Sequence, residues 1–136
     1  MNVFAYGSLI LPEVWGAVTG ERHRSEPGRL SGYIRRRVRG ATYPGIVTDD
    51  RSGAGEWIDG AIYYDVGADA LAALDEFESD FYVRVTLEAH DGRGEAVRCE
   101  AYLVPPENAH LLSDEVWDLD RFRSEHLTEF LGRNFA

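Results

Sequence analysis

Apolar and polar positions change their period several times along the chain, and each change marks an element. Val3 to Tyr6 is a short run with no polar member, the pattern of a strand buried on both faces. Gly7-Ser8 breaks the run, and Pro12 to Val18 reads as a helix with proline in its first turn and Gly20 closing it. Pro27-Gly28 starts an extended segment from Arg29 to Arg39. Pro44-Gly45 is a turn signal ahead of another short strand at Ile46-Val47. The polar stretch Thr48 to Glu56 reads as a loop. Trp57 to Val66 resumes as a strand, in which Gly60 predicts a bulge or a close approach by another segment.

The second half begins with an Ala- and Leu-rich helix from Gly67 to Ser79. At a hundred degrees per residue, Leu71, Leu74 and Glu78 share one face while Glu76 points the opposite way. Phe81 to Ala89 alternates, with Val83, Val85, Leu87 and Ala89 on one side. Asp91-Gly92-Arg93-Gly94 then turns the chain into Glu95 to Val104, a hairpin. Pro105-Pro106 ends that strand, a short helical turn is expected around His110 to Leu112, and a last helix from Asp118 to Gly132 carries Leu119, Phe122, Leu127, Phe130 and Leu131 as its stripe. The element order predicts a single α+β domain over residues 1–136, with antiparallel strands around a core and helices outside. Periodicity leaves open whether the sheet closes.

Composition narrows the function classes. The 136 residues carry 14 basic side chains against 24 acidic ones, a net charge of −10. This acidic balance means that nucleic acid is not expected as a partner; every basic residue is arginine. Arg35-Arg36-Arg37-Val38-Arg39 is the one basic cluster, read as a solvated strand edge that discourages pairing, with the steering of an anion as the alternative. No stretch is long and apolar enough to span a membrane, and the start lacks a signal-peptide pattern, so the expected location is cytoplasmic. The four histidines show no ligand spacing, and a metal site is not expected.

Two features carry candidate chemistry. The strand, Gly-Ser turn and helix from Val3 to Val18 present backbone donors beside a positive helix end, a place for a carboxylate or a developing oxyanion. An ordinary tight turn is the alternative. Glu78 is a carboxylate on a leucine face. Partial burial raises its pKa toward the range of a general base, whereas a frayed helix end or a salt bridge to Arg84 leaves it an ordinary acid. Cys99, the only cysteine, falls on the core face of its strand and is expected to be inert. His126 lies in the last helix's stripe and reads as a core-edge side chain.

Phe4-Ala5-Tyr6-Gly7-Ser8-Leu9, Tyr43-Pro44-Gly45-Ile46, Gly60, and Leu74-Asp75-Glu76-Phe77-Glu78 followed by Tyr82 together resemble the gamma-glutamylcyclotransferase-like family. That family includes the plant avirulence-induced type and the gamma-glutamylamine cyclotransferases. Trp117, Phe122, His126-Leu127 and Phe130-Leu131 are similar to the tail of the plant-type members. The resemblance implies a small mixed, mostly antiparallel β-barrel with flanking helices. It implies Tyr6, Gly7, Ser8 and Leu9 as the substrate-binding loop, Glu78 as catalytic acid/base and Tyr82 as a pocket residue; Tyr102 is a further candidate for the lining. The implied reaction cyclises a γ-glutamyl compound to 5-oxoproline, releasing an amine or amino acid, with no cofactor. The family usually has glycine after the glutamate, where this chain has Ser79-Asp80. Two alternatives stand beside this one: a binding or regulatory module that keeps the pocket without turnover, and removal of a γ-glutamyl group from a biosynthetic intermediate. Thr48–Glu56 and Pro105–Leu112 are the loops expected to read the amine side of the substrate.

Overall fold

A computed structural model of the chain describes residues 1–49 and 56–135. Strands β1 (Val3–Ala5), β2 (Ser25–Leu30), β5 (Ile58–Tyr63), β6 (Val83–Asp91) and β7 (Ala96–Leu103) form a closed barrel in the order β1-β5-β2-β6-β7. All its pairings are antiparallel except β1 with β7, so the barrel is mixed. A two-stranded sheet of β3 (Tyr33–Arg37) and β4 (Pro44–Thr48) lies beside it. Helices α1 (Pro12–Thr19), α2 (Ala68–Glu78), α3 (Leu119–Glu125) and α4 (Leu127–Phe135) flank the barrel. Among the described residues no helix is long and apolar enough to cross a membrane.

β1 is buried along its length, as its all-apolar sequence requires. Phe4 joins Leu30, Ile58, Ile62, Leu87, Cys99 and Ala101 in one apolar cluster. Val3 and Ala5, on the opposite face, join Leu11, Trp15, Leu71, Leu74 and Phe122 in a second cluster shared with the helices. Trp15 of α1 stacks on Tyr63 of β5 with ring centroids 3.6 Å apart, and Gly20 closes α1 at φ 71°. Gly60 is the predicted close approach: a Cβ there would overlap the Ala5 carbonyl oxygen across the β1–β5 pairing. Cys99 faces the core, and burial pushes its thiol up to about 11.

Several boundaries differ from the sequence pattern. Pro27 and Gly28 lie inside β2, opposite Ala61 and Gly60, instead of starting a segment. The stretch expected to run extended from Arg29 to Arg39 breaks at Gly32, whose φ is 88°, and resumes as β3. Pro44-Gly45 opens β4 opposite Arg37 and Arg36, and the turn lies earlier, at Arg39-Gly40. Most of the loop expected over Thr48–Glu56 falls on residues 50–55, outside the described residues. The helical turn near His110 is a 3-10 helix, Pro106–Leu111. The last helix is two: Asp118 caps α3 by accepting from the Asp120 and Arg121 amides, and His126 interrupts it at φ −126° before α4 begins. Leu119, Phe122, Leu127, Phe130 and Leu131 still form one stripe against the helix-side core.

Candidate active site

The chain after β1 turns at Gly7 into a single 3-10 turn, Ser8–Ile10, before α1 begins at Pro12. The sequence pattern places the turn directly on a helix end; the 3-10 turn instead sets the first turn of α1 one step away and supplies the local donors itself. Among the described residues, the amides of Gly7, Ser8 and Leu9 donate to no protein acceptor, while the carbonyls of Gly7 and Ser8 accept from Ile10 and Leu11. Packing favours glycine at position 7: a Cβ there would stand 3.0 Å from Cγ and Cδ of Pro44, which would have to give way by a few tenths of an ångström. β4 therefore presses on the turn from one side, and the free amides line a pocket on another.

That pocket has a volume of about 170 Å³, below the roughly 300–1,000 Å³ typical of drug-sized ligands. Its wall brings together Tyr6, Gly7, Ser8, Leu9, Glu78 and Tyr82, the six site residues that the resemblance implies, and the further candidate Tyr102, with Tyr43, Pro44, Phe77, Phe81, Phe130 and Asn134. The outer contributions come from the end of α2, the 3-10 turn Ser79–Phe81 and α4. Pro105–Leu112, expected to read the amine side, does not line it. The last helix does so in its place, which its amphipathic pattern alone does not reveal.

Glu78 is the last residue of α2, on the face that buries Leu71 and Leu74, with Glu76 exposed on the other side. Its carboxyl has neither fate expected of an ordinary acid. It is half-buried, and among the described residues no ion pair or hydrogen bond reaches it. Arg84, the alternative partner, is engaged by Asp75 at 3.4 Å and Glu100 at 3.4 Å. Burial without a counter-charge pushes Glu78 up to about 8, because removing water penalises the charged form. Its successor Ser79 has φ 58° and ψ −164°, a region almost confined to glycine. Asp80 is exposed, so its charge is solvated.

The tyrosine hydroxyls are largely committed to the framework. Tyr6 Oη donates to the Tyr102 carbonyl at 2.6 Å, Tyr82 Oη to the Pro44 carbonyl at 2.8 Å, and Tyr102 Oη to Asp75 Oδ1 at 2.7 Å. Burial pushes all three phenols above the usual tyrosine range. Tyr102 shares its strand face with exposed Arg98 and half-buried Glu100, yet is itself buried. The rings supply walls and leave the loop amides as the pocket's uncommitted backbone donors. Glu78 is the pocket's one ionisable side chain among the described residues apart from the phenols.

Arg35 departs from the solvated-edge expectation. It is half-buried and donates to the Tyr6 carbonyl at 2.9 Å and the Asp59 carbonyl at 3.0 Å. Arg36 and Arg37 are half-buried as well but have carboxylate partners, Glu56 and Glu115, and Arg39 is the exposed member of the run.

The family model described as "Gamma-glutamyl cyclotransferase, AIG2-like" matches residues 3–119. Protein AIG2 C of Arabidopsis thaliana is 31% identical over 131 residues, covering 96% of this chain and 76% of that protein. A solution structure of an Arabidopsis thaliana protein superposes with a TM-score of 0.72 at 29% identity, over 97% of this chain and 78% of the other. A solved gamma-glutamyl cyclotransferase shares the fold with a TM-score of 0.61 at 21% identity, over 77% of this chain and 66% of its own.

Proposed function

Because the chain belongs to the gamma-glutamyl cyclotransferase, AIG2-like family, we propose that it cyclises a γ-glutamyl compound to 5-oxoproline with Glu78 as general base and then general acid. The observation that carries this reading is a half-buried carboxyl that shares one small pocket with three backbone amides, none of the four having a partner among the described residues. Glu78 takes a proton from the substrate's α-ammonium group, and the freed nitrogen attacks the γ-carbonyl to close a five-membered ring. The carbonyl oxygen becomes an oxyanion. As it collapses, the bond to the leaving nitrogen breaks, Glu78 gives that nitrogen the first proton, and the same carboxylate relays the ring nitrogen's second proton to it, so that the amine leaves as an ammonium ion. Atoms and charge balance with no external reagent.

The chemistry asks little more of the protein. Intramolecular attack supplies effective molarities of ~10⁵ M or more when the reacting atoms are held in line, so folding the substrate is the main task. The substrate's α-ammonium group, beside its own carboxylate, titrates above the roughly 8 of a peptide α-amino group, so transfer to Glu78, held at about 8, is only modestly uphill. Amides of Gly7, Ser8 and Leu9 hold the substrate carboxylate or the oxyanion, and Tyr6 and Tyr82 shape the wall. The alternative of a pocket without turnover draws on Ser79-Asp80. Ser79 nonetheless adopts the backbone a glycine would, and Asp80 is exposed; neither feature obstructs the pocket.

The test is release of 5-oxoproline from a panel of γ-glutamyl amino acids, γ-glutamyl amines, glutathione and larger γ-glutamyl conjugates, at low and high salt. Release from any member, absent in Glu78→Gln, is expected. No release from the whole panel, with a γ-glutamyl compound still raising the melting temperature, would favour the binding module.

A further inference from the structure

The peptide that joins Tyr6 to Gly7 is held from outside the pocket. Arg35 Nη1, on β3, donates to the Tyr6 carbonyl and to the Asp59 carbonyl of β5, at 2.9 and 3.0 Å, and its guanidinium carbon lies 5.3 Å from the Trp117 ring centroid. Tyr6 and Gly7 line the pocket; Arg35 does not. A planar trans peptide directs its C=O and N–H to opposite sides. With the Tyr6 carbonyl turned toward Arg35, the Gly7 N–H of this pocket-lining peptide points the opposite way, and among the described residues no protein acceptor meets it.

Asp59, Asp118 and Glu56 act on the charge of Arg35 from beyond ion-pair distance. Among the described residues it forms no ion pair, although it is half-buried, and both Nη1 donations go to neutral carbonyls. Keeping a partly desolvated cation without a contacting carboxylate is costly. A cation bonded to a carbonyl does, however, draw electron density through the peptide and strengthen its N–H as a donor. Two anchors on one nitrogen also tie the loop to the barrel wall at the point where β1 leaves β5.

We infer that Arg35 is a positioning residue: by holding the Tyr6 carbonyl it aims and polarises the Gly7 N–H toward negative charge on the bound substrate or transition state. This rests on the cyclotransferase reading for its catalytic consequence, and on the hydrogen-bond geometry alone for its structural one.

The experiment compares wild type, Arg35→Met and Arg35→Lys by 5-oxoproline release and by the amide resonance of Gly7 in ligand-free ¹⁵N-labelled protein. Expected are a loss of about 10- to 100-fold in kcat/KM for Arg35→Met, below or near the ~10²- to 10³-fold seen when an oxyanion donor is deleted outright, and recovery of most of it in Arg35→Lys. The Gly7 resonance should move in Arg35→Met and return toward its wild-type position in Arg35→Lys. A fall in kcat marks the oxyanion as the charge held, and a rise in KM marks the carboxylate. Should Arg35→Met not fold, Arg35→Gln, equally neutral, takes its place. An unmoved Gly7 resonance, or activity that simply follows melting temperature across the variants, would overturn the inference. If wild type releases no 5-oxoproline, the cyclotransferase reading fails, and the Gly7 resonance still decides whether Arg35 positions the amide.

Discussion

Ser79 follows Glu78 with φ 58° and ψ −164°, so the carboxyl that lines the pocket is delivered by a helix end whose next residue sits in glycine's backbone territory. Such a conformation costs a non-glycine residue of order 1–3 kcal/mol. It persists because α2 before it and the 3-10 turn Ser79–Phe81 after it leave the chain no other exit.

Replacing Ser79 with glycine relieves that strain. Part of the gain is offset by the greater freedom of glycine in the unfolded chain, leaving about 1 kcal/mol of stabilisation, or roughly 3–5 °C for a domain of this size. A thermal melt of Ser79→Gly checks this. A melting temperature equal to or below wild type would show that the strain is absent in solution.

Glu78 makes stability depend on pH. Its carboxyl titrates near its ordinary 4.5 in the unfolded chain and at about 8 in the fold. Between those values the folded state binds more protons, so stability falls as pH rises through 4.5 toward 8, and the loss is complete above 8. Glu78→Gln has no such loss. It should match wild type near pH 4 and exceed it by ~2–4 kcal/mol above pH 8. Denaturant titrations at both ends of this range provide the measurement; equal differences at the two ends would contradict the burial assigned to this carboxyl.

Tyr82 is placed to act through its ring, since its hydroxyl donates to Pro44, the residue packed on Gly7. Tyr82→Phe should fold, lose about 1 kcal/mol from the stranded carbonyl, and keep kcat/KM within roughly tenfold of wild type. A loss as large as that of Glu78→Gln would mean that the hydroxyl reaches the substrate.

Cys99 should resist thiol reagents in the native state, because burial both shields it and holds its thiol up to about 11. Only the thiolate reacts. Its modification rate should follow global unfolding, rising in step with added denaturant, and rapid labelling of native protein would contradict the core placement.

Much of this arrangement was legible in the sequence because two periodicities speak directly about burial. The all-apolar Val3–Tyr6 run fixed β1 between two layers, and the 3.6-residue period put Glu78 with Leu71 and Leu74. Closure of the barrel was not legible from periodicity, since alternation marks a buried face without naming the partner strand; resemblance supplied it. Proline and glycine misled where tertiary pairing overrode local turn chemistry: Pro27-Gly28 and Pro44-Gly45 both sit in strands, where small residues admit close neighbours. Arg35 was lost among three other arginines because only the fold turns its guanidinium toward the Tyr6 carbonyl. The place of Phe130 and Asn134 in the pocket depends on the break at His126, where no proline or glycine announces a change of direction.

The most direct test of Glu78 as the base is kcat/KM for 5-oxoproline release against pH, from about 5.5 to 9.5, for wild type and Glu78→Gln on the best substrate of the panel. Wild type should rise with pH toward about 8, as the free enzyme's carboxyl loses its proton, and fall again at higher pH, as the free substrate's ammonium group loses the proton that Glu78 must take, while Glu78→Gln should lie roughly 10²- to 10⁴-fold lower and lack the rising limb. Turnover in Glu78→Gln within tenfold of wild type, with the same rise toward pH 8, would place the base elsewhere and contradict the mechanism.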